Sequence, residues 1–402
     1  MKRTVLSLLC LAIPLLSVQA FDTDRQLQYC AKQTLRALAL LRPYQFNQEP
    51  RNILSTDTGR GWNCRPAVAE EWCSGFWSGI LWMDYAYLKQ GGNARKAEAA
   101  LVREAAEGYT DVLSFLAERP VFDHDLGFLV INSFLKGYEQ TGDERYKRIA
   151  LICADTLANL YNPKVGTLLS WPRHVTDFGG HNTIMDNMIN LELLLWASEN
   201  GGSRLLRDIA ISHAVTTMRH HFRPDGTCYH VAIYDTLTGE FLRGKTHQGL
   251  ADYSTWSRGQ SWAVYGYTMM YRYTRDPLFL AFAQRVADAY LKRLHETSDD
   301  WVPRWDMDDM REHAPKDAST AAIVASALLD LSGYVGGFKG DYYRDAAVQM
   351  LTDLSSERYQ SRERNVAFLM HSVGNHPAGS EVDASIIYAD YYYIEALLKL
   401  KR

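Results

Sequence analysis

Paired cysteine motifs are missing from this 402-residue chain. Its six cysteines stand far apart, and five remain beyond residue 20, an odd number with no CxxC spacing, so a zinc ribbon or a disulfide scaffold has no framework here. At most one bridge, such as Cys64 to Cys73, is expected. Basic blocks are also missing: after Lys2 and Arg3 no run of Lys or Arg appears, and the formal net charge is -4. That excludes the electrostatic footprint of a nucleic-acid binder. There is no Gly-rich phosphate loop, no GxSxG elbow, no HExxH, and no HxxxH pair on an expected helix, so nucleotide chemistry, serine hydrolysis and a dedicated metal site lose their usual carriers. Beyond the first twenty residues no stretch reaches the roughly 18 continuous apolar residues of a membrane helix. No membrane span is expected.

What the chain has in quantity is aromatic surface and helical periodicity. Aromatics make up 12% of it, with 10 Trp and 24 Tyr, a composition suited to a dense core or to flat ligands such as sugars. The N-terminus reads as a secretory leader: Lys2 and Arg3 are a basic start, Val5 to Leu16 an apolar run, and Val18-Gln19-Ala20 a small-residue cleavage site. A lipoprotein reading would need a small residue before Cys10, where Leu9 stands. Export and cleavage after Ala20 are expected, leaving 21–402 as one catalytic domain.

Apolar residues then recur at three- and four-residue spacing in twelve segments, near 24–42, 72–89, 93–118, 126–141, 143–161, 182–200, 203–222, 257–274, 276–296, 317–335, 341–358 and 384–400. They pair as six hairpins in which a helix apolar on most sides alternates with a charged, amphipathic one. Inner helices ringed by outer ones give an all-α (α/α)6 barrel. The long connections near 43–71, 162–181, 223–256 and 297–316 enter the apolar members, so they gather at one end, where function is expected. The run from Gly226 to Asp235 before Thr238-Gly239 reads as a small hairpin.

Two aspartates stand out at that end. Asp125, in Phe122-Asp123-His124-Asp125-Leu126, is either a helix cap or a functional carboxylate. Asp186 is expected one turn inside the strongly apolar helix near 182–200, where a carboxylate is costly unless paired or functional, and burial there should raise its pKa toward that of a general acid. Around them the loops supply Trp171, His174, His181, His230, His247, Gln248, Arg258 and Trp262. Arg258 and Trp262 are four apart and share a helix face, a spacing that suggests a fork onto an acid with an indole stacked on a sugar ring.

Six stretches in order carry a family resemblance: Ser74 to Trp82, His124 to Phe128, Met185 to Leu191, Thr246 to Gly249, Trp256 to Trp262, and Asp317 to Ala322. In these the chain resembles the unsaturated glucuronyl hydrolases of glycoside hydrolase family 88. The resemblance implies an (α/α)6 barrel that removes a terminal 4,5-unsaturated uronate from oligosaccharides made by polysaccharide lyases, without metal or organic cofactor. It implies that Asp186 is the acid/base and Asp125 the second essential carboxylate, with His124, Trp171, His230, Gln248, Arg258 and Trp262 contacting substrate. Trp77 is a further stacking candidate on position alone. Relatives that accept sulfated fragments use a Ser/Lys-bearing loop near the C-terminus, whereas Gly374 to Glu381 here contains no Lys. A sugar isomerase or epimerase on an α/α barrel, and a non-catalytic oligosaccharide-binding protein, are the competing readings.

Overall fold

The computed structural model describes residues 21–402; the expected leader and its cleavage position lie outside the described residues. Twelve helical rods carry the fold. They are α1 (Thr23–Leu41), α2 (Phe76–Leu88), α3 (Lys96–Asp111), α4 (Leu126–Val130 continued through a π turn, Ile131–Leu135, into Lys136–Thr141), α5 (Glu144–Ala158), α6 (Asn187–Glu199), α7 (Arg204–His220), α8 (Ser257–Thr274), α9 (Pro277–Thr297), α10 (Ala318–Val335), α11 (Gly337–Leu354) and α12 (Ile387–Lys401). The even-numbered helices pack in a closed ring, α2 on α4, then α6, α8, α10 and α12, which returns to α2. Each odd-numbered helix lies outside against its hairpin partner. This is the expected (α/α)6 barrel.

Sequence decides which helices go inside. In α10 every residue from Ala318 to Leu329 is buried, because small Ala and Ser positions let three neighbours approach while Ile323, Val324 and Leu328 fill the gaps. Each such aliphatic side chain contributes about 1.5–3 kcal/mol on full burial. This helix is also long and apolar enough to cross a membrane by composition, and 72% of the window concerned is buried inside the fold. Around α6 the approach is closest at two glycines: a Cβ on Gly127 would meet Asn190 at 2.4 Å, and one on Gly266 would meet Met188 at 2.5 Å. Outer helices start on ordinary caps. Asp143, Ser203 and Asp276 each accept a backbone N–H of the first turn, and Pro277 follows Asp276 at the first helical position.

Eight short strands decorate the mouth: β1 (Gln48–Leu54), β2 (Asn63–Pro66), β3 (Tyr161–Asn162), β4 (Thr167–Leu168), β5 (His181–Ile184), β6 (Val231–Tyr234), β7 (Phe241–Lys245) and β8 (Ala384–Ile386). The expected hairpin is β6 with β7, and β5 joins it antiparallel, Thr183 opposite Ala232. Two helix boundaries move accordingly. Residues 182–184 and 384–386 were expected in helices and are strands, because β5 pairs with β6, while β8 pairs with β1, Ile53 opposite Ser385. Cys30, Cys64, Cys73, Cys153 and Cys228 are all free, so the Cys64–Cys73 bridge does not form; the Cys73 sulfur instead accepts from Arg51 at 2.6 Å.

Candidate active site

The inner helices all turn their N-termini to one end, and a cavity of about 170 Å³ opens there. Asp125 and Asp186 occupy the positions just before α4 and α6. Asp186 therefore stands at a strand-to-helix junction, not one turn inside a helix as its apolar neighbours suggested. Neither carboxylate caps its helix: in both cases the backbone is already helical and the side chain accepts no first-turn N–H. The capping account of Asp125 fails on that geometry. By contrast Asp317, just before α10, caps Ser319 in the ordinary way.

Two histidines fix the protons of this pair. The Nδ1 of His124 lies 3.0 Å from the carbonyl of Ser170, which can only accept, so Nδ1 carries the ring proton. Burial lowers the His124 pKa, which keeps the ring neutral and leaves Nε2 as an acceptor 3.3 Å from Asp125 Oδ1. His230 is the mirror case. Its Nδ1 accepts the backbone N–H groups of His247 (3.1 Å) and Gln248 (3.2 Å), so the proton sits on Nε2, which faces Asp186 Oδ2 at 3.6 Å. A donor thus faces Asp186 and an acceptor faces Asp125.

The carboxyl groups respond in opposite directions. Burial, followed by the charges of Asp123 and Asp186, pushes Asp125 well above its ordinary 3.8. Burial also acts to raise Asp186, but the His230 contact, helped by the Arg258 charge, outweighs it and holds Asp186 below the ordinary value. The expectation of a raised Asp186 is corrected here: of the two carboxyl groups it is Asp125 whose charged form the surroundings disfavour, and Asp186 whose charged form they favour.

The cavity wall contains His124, Asp125, Trp171, Asp186, Gln248 and Arg258 of the expected set. His230 lies behind Asp186, its ring 4.4 Å from that of Trp256. Two expected contacts are elsewhere. Trp262 is 0% exposed between Phe128 and Tyr392, and Trp77 is 1% exposed against Tyr109. Four residues along a helix is also about one 5.4 Å turn deeper, so with Arg258 in the cavity wall Trp262 falls below the cavity floor. The indole beside Arg258 is Trp256, just outside the helix, with the guanidinium 4.5 Å from its ring centre. Arg258 itself is a buttress: it donates to Asp317 at 3.1 Å, to the Val373 carbonyl and to the Gly374 carbonyl at 2.6 Å. His181 is buried in β5 against Thr167, away from the cavity.

Sequence reasoning missed Trp72, Asp123, Arg173 and Glu70 in the wall. Trp72 and Asp123 adjoin stretches already singled out, and that adjacency was the available signal. Asp123, His124 and Asp125 offer metal-type ligand atoms within 4.8 Å of one another. Asp123 is already committed, however, accepting from Arg173 at 2.6 Å and from the Asp125 N–H at 2.9 Å.

Comparison with known proteins places the whole arrangement. Residues 47–400 match the model of Glycosyl Hydrolase Family 88. An unsaturated glucuronyl hydrolase of Formosa agariphila is 40% identical over 336 residues, 82% of this chain and 80% of that protein. The crystal structure of an unsaturated glucuronyl hydrolase specific for heparin superposes with a TM-score of 0.83 at 36% identity, covering 94% of this chain and 96% of the other. An aspartate-to-asparagine variant of a Streptococcus agalactiae unsaturated glucuronyl hydrolase, complexed with dGlcA-GalNAc6S, superposes with a TM-score of 0.76 at 25% identity, covering 100% of this chain and 98% of that one. The chain belongs to Glycosyl Hydrolase Family 88 and is a glycosidase of the unsaturated glucuronyl hydrolase type.

Proposed function

We propose that residues 21–402 act as one catalytic domain that removes a terminal 4,5-unsaturated uronate from lyase-made glycosaminoglycan fragments by hydrating the C4=C5 enol ether. The observation that carries this reading is the pair of non-capping aspartates at the starts of α4 and α6, Asp125 beside His124 Nε2 and Asp186 beside His230 Nε2, in surroundings that push the Asp125 pKa up and hold that of Asp186 down. Ordinary glycoside hydrolysis uses two carboxyl groups flanking the anomeric carbon. Here the chemistry runs at the double bond instead. Ring hydroxyls donating to Asp125 favour its ionised form, while the uronate carboxylate, entering beside Asp186, favours protonation there. Substrate binding therefore moves the single proton from Asp125 to Asp186.

Asp186 then gives that proton to C4 as water adds at C5, and it recovers a proton from the water, so the enzyme ends as it began. The hemiketal opens and the glycosidic bond is lost without attack at C1. Asp125 and His124 hold the ring, Trp171 and Gln248 line its path, His230 orients Asp186, and the Arg258 charge balances the uronate carboxylate from behind. No step needs a metal or an organic cofactor. The leader-like Lys2 to Ala20 supports action outside the cytoplasm after export. The test is direct: purified protein mixed with an unsaturated chondroitin or heparin disaccharide should abolish the ultraviolet absorbance of the conjugated enoate. A chromophore that persists at high enzyme concentration, with either disaccharide, sinks the reading.

A further inference from the structure

A sulfated substrate brings a second anion, on the sugar that leaves, and the C-terminal loop from Gly374 to Glu381 has no Lys or Arg to receive it. Glu381 is the loop's charged residue, and it is turned inward: Arg51 donates to it at 2.6 and 2.8 Å and Asn52 at 2.7 Å. The formal cations of the cavity wall are Arg258 and Arg173. Arg258 is 1% exposed at the deep wall and tied to Asp317 and two carbonyls. His247 is held neutral, with burial lowering it to about 4.

Arg173 differs from these in three respects. Its side chain is 43% exposed, so it stands at the rim, beyond the buried ring position. Among the described residues its one hydrogen-bond acceptor is Asp123, reached through Nη1 at 2.6 Å, which leaves the Nε/Nη2 edge unused. The guanidinium also lies over the Phe122 ring at 4.7 Å, so it is held on two sides and aimed. An arginine fixed by one nitrogen in a cavity wall, with its Nε/Nη2 edge free of protein acceptors, has the donors of a sulfate or carboxylate receptor. We infer that Arg173 determines specificity by receiving a sulfate ester on the sugar next to the terminal uronate. This rests on the function proposed above.

The experiment compares matched unsaturated disaccharides, one unsulfated and one sulfated on the second sugar, with the wild type and with Arg173→Gln. Gln keeps an N–H for Asp123 and loses the charge and the fork. Wild-type protein should accept both substrates. The variant should lose about 10- to 100-fold in kcat/KM on the sulfated substrate, mainly through KM, the range expected for charge-assisted hydrogen bonds. On the unsulfated substrate the loss should be clearly smaller, because whatever passes through the pair with the buried Asp123 is common to both substrates and Gln keeps an N–H there. Equal losses on both substrates would mean that Arg173 only positions Asp123, and would overturn the inference, as would no loss on either. A wild type that cleaves the unsulfated disaccharide and rejects the sulfated one would also overturn it. If neither disaccharide is cleaved, it is the proposed function that fails.

Discussion

The two ends of the barrel hold cavities of very different character. At the mouth, the cavity of about 170 Å³ has unpartnered atoms in its wall: Asp186 Oδ2 and His124 Nε2, with His230 Nε2 behind them, are buried and make no hydrogen bond. At the opposite end, where the inner helices finish, a cavity of about 430 Å³ is lined by charges that neutralise one another. Arg272 meets Glu192 at 2.5 Å and Asp330 at 3.4 Å, Lys399 meets Asp330 at 2.7 Å, and Glu395 accepts from Tyr265 and Ser326. The larger hollow is the quieter one. Buried polar groups are normally satisfied, so a carboxylate and two imidazoles left facing one another without partners mark a ligand site better than volume does. The helix dipoles add to the contrast, because six N-termini make the mouth attractive to anions in a chain of net negative charge.

Exchanging one carboxylate at each end should break function at the mouth and stability at the far end. Asp186→Asn keeps shape and removes the transferable proton, so turnover should fall by about 10²- to 10⁴-fold, the usual reach of general acid catalysis, while substrate still binds. Turnover near the wild-type value would remove Asp186 from the mechanism. Glu395→Gln should do the reverse. It leaves Lys399 and the ion-pair network around it short of an anion in a buried setting, which costs about 3–5 kcal/mol when one partner of such a pair is removed. Denaturation should shift to lower denaturant while kcat, measured well below the transition, stays put.

Two tryptophans sharpen the same comparison at smaller scale. Trp262→Phe empties part of the packed floor and should cost about 1–3 kcal/mol of stability with KM unchanged, since no part of the indole reaches the cavity. Trp72→Ala acts on the wall and should raise KM several-fold, in line with about 0.5–1.5 kcal/mol for an aromatic contact. A KM change in the first variant and none in the second would reverse the assignment.

The barrel was legible in the sequence because inner and outer helices differ in composition over whole segments, and a 3.6-residue period survives small boundary errors. The strands β5 and β8 were not, since three or four residues carry too little period to tell a strand from a helix start. At the site, the aspartates and their histidines were visible as polar residues in costly places. Their protonation was not. It depends on which ring nitrogen of His124 and His230 faces a carbonyl or an N–H from Ser170, His247 and Gln248, contacts that join residues 17 to 46 positions apart. Trp262 misled for a related reason: helical spacing gives a shared face but not which turn of that face reaches the cavity.

The smallest expected effect lies in how stability responds to pH, and it has opposite signs at the two ends. Glu395 is held down to about 2, because Lys399 and Lys136, with Ser326, outweigh its burial. A depressed carboxyl contributes stability that is in place above its ordinary 4.5 and lost as pH falls toward 2. Asp125 is raised, chiefly by burial, so its contribution is complete below 3.8 and declines as pH rises through its folded value. Asp125→Asn cannot ionise and escapes that decline. It should therefore melt at the same temperature as the wild type in acid and at a higher one near pH 8, even as it loses activity, a trade of stability for function confined to the mouth. Glu395→Gln should melt lower than the wild type near pH 8 and converge with it as the pH falls toward 2. Melting curves of the three proteins across that range decide the matter. A pH-independent difference for Asp125→Asn would mean that its carboxyl is not held protonated by the fold, and the proton assignment built on His124 would fall with it.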